Sequence, residues 1–143
     1  CRYAIRATLE LAHHGVDRSL TIAEIAEAQK IPAGFLAVIL TDLRRAGIVR
    51  SHRGARGGYS LAVEPRGLSV EDVISAVDGP IEPPAAFRAR RSRDDYVWGD
   101  GVLAALLEQA ATTVSGIFAA TSYADLIERE SLNAQTPVAN YCI

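Results

Sequence analysis

Apolar residues along this chain recur mostly at helical spacing, with one short alternating stretch between. Ala4, Ala7, Leu11 and Ala12 predict a helix over Tyr3 to His14, stopped by Gly15. Thr21-Ile22-Ala23-Glu24 has capping-box spacing, Thr at the N-cap and Glu three residues on. It opens a short helix that buries Ile22, Ile25 and Ala26 and ends near Lys30. Ile31-Pro32 makes a turn, because proline suits the first position of a new helix. That helix is predicted over Ala33 to Ala46, closed by Gly47. Ile48 to His52 and Tyr59 to Ala62 read as two strands of a hairpin around the loop Arg53-Gly54-Ala55-Arg56-Gly57-Gly58.

Beyond the hairpin the helical period returns. Ser69 caps a helix with Asp72 at its third position, and Val70, Val73, Ile74 and Val77 form its apolar face until Asp78-Gly79-Pro80. Residues 80 to 95 read as an irregular linker. A long helix is predicted over Tyr96 to Ala120, where Leu103, Leu106, Leu107, Ala110, Val114 and Ile117 keep helical spacing. Ser122 to Arg129 reads as a last short helix and Asn133 to Ile143 as a loose tail. The fold class is mainly α: a winged helix-turn-helix with a small β-hairpin wing, then a long C-terminal helix. The division read from this is 1–79 for the winged domain, 80–95 for the linker, 96–130 for the helical element and 131–143 for the tail.

Charge sharpens the picture. The net charge of -2 over 143 residues is unpromising for a nucleic-acid binder, but it is unevenly placed. Residues 1–66 hold 10 Arg/Lys against 6 Asp/Glu, whereas residues 67–143 hold 5 against 11. A basic front and an acidic back suit a DNA face joined to a different kind of surface. The only cysteines, Cys1 and Cys142, match neither a disulfide framework nor a metal motif. No signal peptide is legible and no apolar run reads as long enough to span a membrane, so a cytoplasmic protein is expected.

The helix at Ala33 to Ala46 divides cleanly. Leu36, Ile39, Leu40 and Leu43 form one stripe; Gly34, Ala37, Val38, Thr41 and Arg45 lie opposite, with Arg44 on the flank. An amphipathic helix alone usually means only a core helix. Two short helices, a tight turn and then an Arg-tipped hairpin make the winged-helix order, in which the second helix enters the major groove and the wing meets phosphates or the minor groove. The wing is the sharper signal. Arg50, Arg53 and Arg56 sit among Gly54, Gly57 and Gly58, where glycine permits close backbone approach and arginine supplies a fixed fork of donors. The expected interface is Thr21, Ala33, Gly34, Ala37, Val38, Thr41, Arg44 and Arg45 from the helices, with Arg53, Arg56 and Gly57 from the wing.

These segments carry a family resemblance. Ile22-Ala23-Glu24-Ile25-Ala26, Ile31-Pro32-Ala33-Gly34-Phe35-Leu36, Leu43-Arg44-Arg45-Ala46-Gly47-Ile48-Val49 and Arg53-Gly54-Ala55-Arg56-Gly57-Gly58-Tyr59 resemble the Rrf2 family of bacterial regulators, and Ser69 to Ile74 with Asp78-Gly79-Pro80 continue the likeness. The resemblance implies a homodimer joined through the long helix at 96–120, where the helical element becomes a dimerisation element. It also implies a roughly palindromic double-stranded operator.

The chain departs from the family in two places. Many members hold an iron–sulfur cluster on three cysteines before the long helix, yet Pro80 to Trp98 contains none. No cofactor is expected. Where members often carry a Glu-Gln pair, this chain has Ala37-Val38, which can meet thymine methyls but offers no hydrogen bonds. Members without the cysteines include a repressor of cysteine metabolism that senses its signal through cysteine synthase. The tail Tyr141-Cys142-Ile143 is similar to its end, and an apolar terminal residue with a free carboxylate suits an amino-acid pocket. The resemblance therefore implies that enzyme as a partner, bound through Tyr141, Cys142 and Ile143.

Other features weigh less. His13, His14 and His52 form no ligand set. Arg88, Arg90, Arg91 and Arg93 read as a solvated loop balanced by Asp94 and Asp95, and Trp98 as a core or dimer anchor. No nucleophile–base pattern, phosphate loop or zinc motif supports an enzyme. The competing reading is a protein-interaction module that keeps the scaffold without reading DNA.

Overall fold

The structure, a computed structural model, describes residues 1–54, 57–83 and 98–135. Helix α1 spans Arg2–His14, α2 Ile22–Gln29 and α3 Ala33–Arg45; strands β1 (Val49–His52) and β2 (Gly58–Leu61) form the hairpin. A single 3-10 turn (Pro65–Gly67) leads to α4 (Val70–Asp78), then come α5 (Asp100–Ala119) and α6 (Tyr123–Gln135). The fold is mainly α, as the sequence pattern predicts, and the element borders differ by one or two residues at most up to α4.

Local chemistry sets those borders. Thr21 caps α2: its hydroxyl accepts from the Glu24 N–H at 3.2 Å while its own N–H donates to Glu24 Oε2 at 2.7 Å. Ser69 and Asp72 repeat the arrangement on α4 at 3.1 and 2.9 Å. α3 ends in a Schellman arrangement around Gly47 at φ 75°. The Ile48 N–H donates to the Leu43 carbonyl at 2.9 Å and the Gly47 N–H to Arg44 at 3.0 Å, so two end-of-helix carbonyls are satisfied.

The core lies between α1, α3, the hairpin base and α4. Ala4, Ala7 and Leu11 of α1 meet Leu36, Leu40 and Leu43 of α3, with Ile25, Val49, Leu61 and Val73 closing the sides. The hairpin pairs antiparallel, with Val49 opposite Leu61 and His52 opposite Gly58. Leu20 adds one rung of a third strand by exchanging backbone hydrogen bonds with Tyr59 at 2.9 and 2.8 Å.

The C-terminal region departs from the sequence reading in four respects. First, Trp98 and Gly99 form a turn and α5 starts at Asp100, four residues later than predicted; Tyr96 and Val97 lie outside the described residues. Second, Trp98 is 89% exposed, so it is no anchor of this chain's own core. Third, α6 runs on to Gln135, well past Arg129; a third capping box, with Asp125 N–H to Ser122 Oγ at 3.1 Å, fixes where it starts. Fourth, α5 carries 20 residues that are apolar enough, by length and composition, to cross a membrane, which the sequence reading passed over. Asp100 and Glu108 interrupt the apolar run in the sequence, yet two carboxylates are too few to offset the leucines and alanines around them.

α6 also returns to the body. The Val70 N–H donates to the Thr121 carbonyl at 3.0 Å and the Tyr123 N–H to Leu68 at 2.9 Å, stitching the start of α6 to the start of α4. Tyr123 is wholly buried beside α1 in the core of the winged domain, with Leu126 and Ile127 packed against it. The Ser115 hydroxyl bonds the Glu71 carboxylate, tying the last turns of α5 to α4. α5 is thus fixed at its C-terminal end, while along its length no residue is buried.

Candidate nucleic-acid interface

α3 stands on the core through Leu36, Leu40 and Leu43, each fully buried, and turns its other side outward. The spacing of 3.6 residues per turn places Gly34, Val38, Thr41 and Arg45 near the middle of that outward face, with Ala37 on one flank and Phe35 on the other. Val38 is 62% exposed and Phe35 66%. Ala33, Arg44 and Arg45 are exposed, and Ala37 and Thr41 half-buried. The helix begins at Pro32 with no side-chain cap, leaving its first N–H groups open. A Cβ added at Gly34 would meet nothing within 4 Å.

The polar groups here are less free than the sequence suggests. The Thr41 hydroxyl donates to the Ala37 carbonyl at 2.9 Å. Arg45 lies 3.3 Å from Asp42 on the same helix, although its side chain is 76% exposed. Thr21 is exposed at the start of α2, but its hydroxyl also donates to Glu24 Oε2 at 2.8 Å. These hydrogen bonds hold the Glu24 carboxyl below the usual carboxylate range, the Thr21 backbone N–H contributing most.

In the wing, Arg53 is exposed on the loop beyond β1. Arg56 lies outside the described residues, as do the arginines from Arg88 to Arg93 and the tail residues Tyr141, Cys142 and Ile143. Arg50 is not available in the way its neighbours suggested. Its Nε donates to Ser60 Oγ at 3.1 Å and its terminal nitrogen to the Val16 carbonyl at 2.9 Å, so it braces the hairpin against the α1–α2 connection. His52 reaches the same Ser60 hydroxyl at 2.9 Å.

The wing glycines also prove structural. A Cβ on Gly58 would stand 2.5 Å from the Leu20 carbonyl oxygen, and one on Gly57 would stand 2.9 Å from the carbonyl oxygens of His52 and Gly54. Gly54 takes φ 102°, a conformation that side chains disfavour. The glycines are therefore required by the hairpin's own backbone, whether or not a phosphate approaches. Phe35 is the residue that sequence reasoning missed: it falls outside the Leu36, Leu40 and Leu43 stripe on a helical wheel, which was the available signal. Among the described residues no group of three His, Cys, Asp or Glu side chains is placed to hold a metal ion.

Two helices crossed at a capped turn, with an antiparallel hairpin beside the second, define a winged helix-turn-helix. The chain belongs to the Rrf2 family: the family model, described as an iron-dependent transcriptional regulator, matches residues 1–129. It is 37% identical over 141 residues to an rrf2-like HTH-type transcriptional regulator of Rhodobacter capsulatus, covering 96% of this chain and 89% of the relative. It is 41% identical over 81 residues to the HTH-type transcriptional regulator IscR of Aliivibrio salmonicida, covering 57% of this chain and 48% of that one. Among solved structures, it is similar to CymR, the global cysteine regulator of B. subtilis, with TM-score 0.73, 27% identity and coverage of 90% and 92%. It is equally similar to IscR of T. potens, with TM-score 0.74, 28% identity and coverage of 94% and 87%. The protein is a transcriptional regulator of this family.

Proposed function

We propose that the protein is a homodimeric repressor that binds a roughly palindromic operator through two α3 helices and two wings. Residues 1–79 serve as the reading head, 80–95 as the linker, 96–130 as the dimerisation element and 131–143 as the tail. The observation that carries this reading is the outward face of α3, which is exposed together with Arg44, Arg45 and, separately, the wing's Arg53, while the opposite face anchors the helix in the core. The open N–H groups at Ala33, Gly34 and Phe35 suit a phosphate, as helix N-termini do. Thr21, exposed at the start of α2, would add a further phosphate contact, and Ala37, Val38 and Thr41 would face base edges. Arg53 and Arg56, turned by Gly57, would contact the backbone or the minor groove.

The exposed face of α5 supports the dimer. Val102, Leu106 and Ile117 are each more than half exposed, and a second copy of the same helix would cover them. A regulator works where the DNA is, in the cytoplasm, so this apolar helix is read as a subunit face and not as a membrane span. The protein acts by binding and not by catalysis.

The family description names iron, but the donor set here does not fit an iron–sulfur cluster at the usual place, since residues 80–98 contain no thiol. The fold likeness to CymR supports a role in cysteine or sulfur metabolism, with cysteine synthase as a partner bound through Tyr141, Cys142 and Ile143. Deleting Tyr141 to Ile143 is expected to abolish that complex and leave the dimer intact; co-elution of the truncated chain with the enzyme would refute the tail's role.

The test of the whole reading is a gel-shift titration on DNA upstream of the protein's own gene at rising salt. Affinity should fall steeply with salt, and Arg53→Ala and Arg56→Ala should each reduce the salt slope by about one. No binding at low salt would overturn the reading in favour of a protein-interaction module.

A further inference from the structure

The outward face of α3 is unusual for a surface that must discriminate among base pairs. Base edges in the major groove are told apart mainly by hydrogen bonds from Arg, Lys, Asn, Gln, Glu or Asp. Near its middle this face carries Gly34, which has no side chain, and Val38, which is 62% exposed. Thr41 has already given its one hydroxyl proton to the Ala37 carbonyl at 2.9 Å. Phe35, 66% exposed, lies three residues before Val38 and so adjoins it on the helix surface. The basic groups, Arg44 and Arg45, stand only at the C-terminal end.

An exposed apolar pair needs an occupant. A second copy of this helix packed in parallel would bring Arg44 and Arg45 against their own counterparts; packed antiparallel, it would set them at the partner helix's N-terminus, whose open N–H groups are also positive. An anionic partner with apolar groups set among its charges fits both the patch and its border. Duplex DNA meets that description at one kind of position, because the thymine C5-methyl is the apolar group that base edges display in the major groove.

Resting on the proposed DNA reading, we propose that this protein selects its operator through thymine methyl groups, packed against Phe35 and Val38, and not through hydrogen bonds from the middle of α3. Discrimination then comes from apolar contact and groove shape, while the wing and the helix ends supply affinity through phosphates. Such a reader distinguishes thymine from the same base without its methyl, which no hydrogen-bonding reader of the Watson–Crick pair can do.

The experiment selects duplexes from a randomised pool with the full chain, then remakes the selected duplex with deoxyuridine in place of single thymidines. Pairing and charge are unchanged by that swap. At one or more positions in each half-site affinity should drop roughly fourfold per methyl removed, the effect of uncovering one methyl-sized apolar group. The salt slope should stay the same. In the Phe35→Ala, Val38→Ala double variant, whose changes lie on exposed positions and leave the core intact, the thymidine-to-deoxyuridine ratio should collapse towards one. Equal binding of every deoxyuridine duplex by the native chain overturns the methyl reading while leaving DNA binding standing. A ratio preserved in the double variant overturns the assignment to Phe35 and Val38. A pool that yields no enriched duplex overturns the proposed function, and this inference with it.

Discussion

Gly58 passes so close to Leu20 that a side chain there has no room: an added Cβ would lie 2.5 Å from the Leu20 carbonyl oxygen and 3.1 Å from the Thr21 nitrogen. That crossing holds the wing to the start of α2, because Leu20 and Tyr59 exchange their backbone hydrogen bonds at the same point. How closely the wing lies against the start of α2 therefore depends on Gly58 having no side chain.

Gly58→Ala is expected to destabilise the fold by about 2 kcal/mol, within the range for inserting a methyl where backbone must move. Gly34→Ala, by contrast, adds a methyl to open space on a helix and should be neutral or stabilising by up to about 1 kcal/mol. Urea unfolding of the two variants checks this; equal stability for both would show that the Leu20 crossing adapts freely.

Placing charge on the exposed side of α5 should separate subunits without unfolding them. Leu106 is 60% exposed and Ile117 58%, and no residue of α5 is buried in its own chain. Leu106→Glu with Ile117→Glu should convert a dimer to a monomer in sedimentation analysis while the helical circular dichroism is largely kept. A dimer that survives both changes would place the subunit contact elsewhere.

Tyr123 and Thr8 carry the two buried side-chain oxygens without a hydrogen-bond partner among the described residues. Burial pushes the Tyr123 phenol above its ordinary pKa; the nearby Thr8 hydroxyl favours ionisation only weakly, and the pair does not reach hydrogen-bond geometry. Removing an unsatisfied buried hydroxyl while keeping the ring should help. Tyr123→Phe is expected to raise stability by about 1 kcal/mol, and Tyr123→Ala to cost about 3–5 kcal/mol through the cavity it leaves. A drop in the melting temperature of Tyr123→Phe would mean that the hydroxyl is satisfied in solution.

The capping boxes predict an acid dependence. Ser122 holds the Asp125 carboxyl below the usual carboxylate range, chiefly through its hydroxyl and then its N–H, and Thr21 does the same for Glu24. A carboxylate whose pKa is lower in the folded state stabilises above its unfolded value, near pH 4, and loses that contribution as pH falls through the folded value. The stability gap between the native chain and Glu24→Gln with Asp125→Asn should therefore narrow from pH 7 to pH 3. A constant gap would show that the carboxylates' charge is not what the caps use.

Much of this protein is legible in its sequence because its local signals are self-contained. Thr21-Ile22-Ala23-Glu24 and Ser69-Val70-Glu71-Asp72 state a helix start within four residues, since the donors and acceptors that satisfy each other all lie there. The Leu36, Leu40 and Leu43 stripe likewise fixes which side of α3 faces inward, by helical geometry alone. What depends on distant segments was decided only in three dimensions. Arg50 looks like its wing neighbours until Val16 and Ser60 are brought beside it. Gly58 looks like a loop residue until Leu20 crosses it, and Tyr123 looks like part of a separate helix until the backbone of Leu68 draws it into the core. Each of those outcomes rests on atoms far apart in sequence competing for the same few ångströms. A pattern with a period of two or four residues carries no information about such contacts.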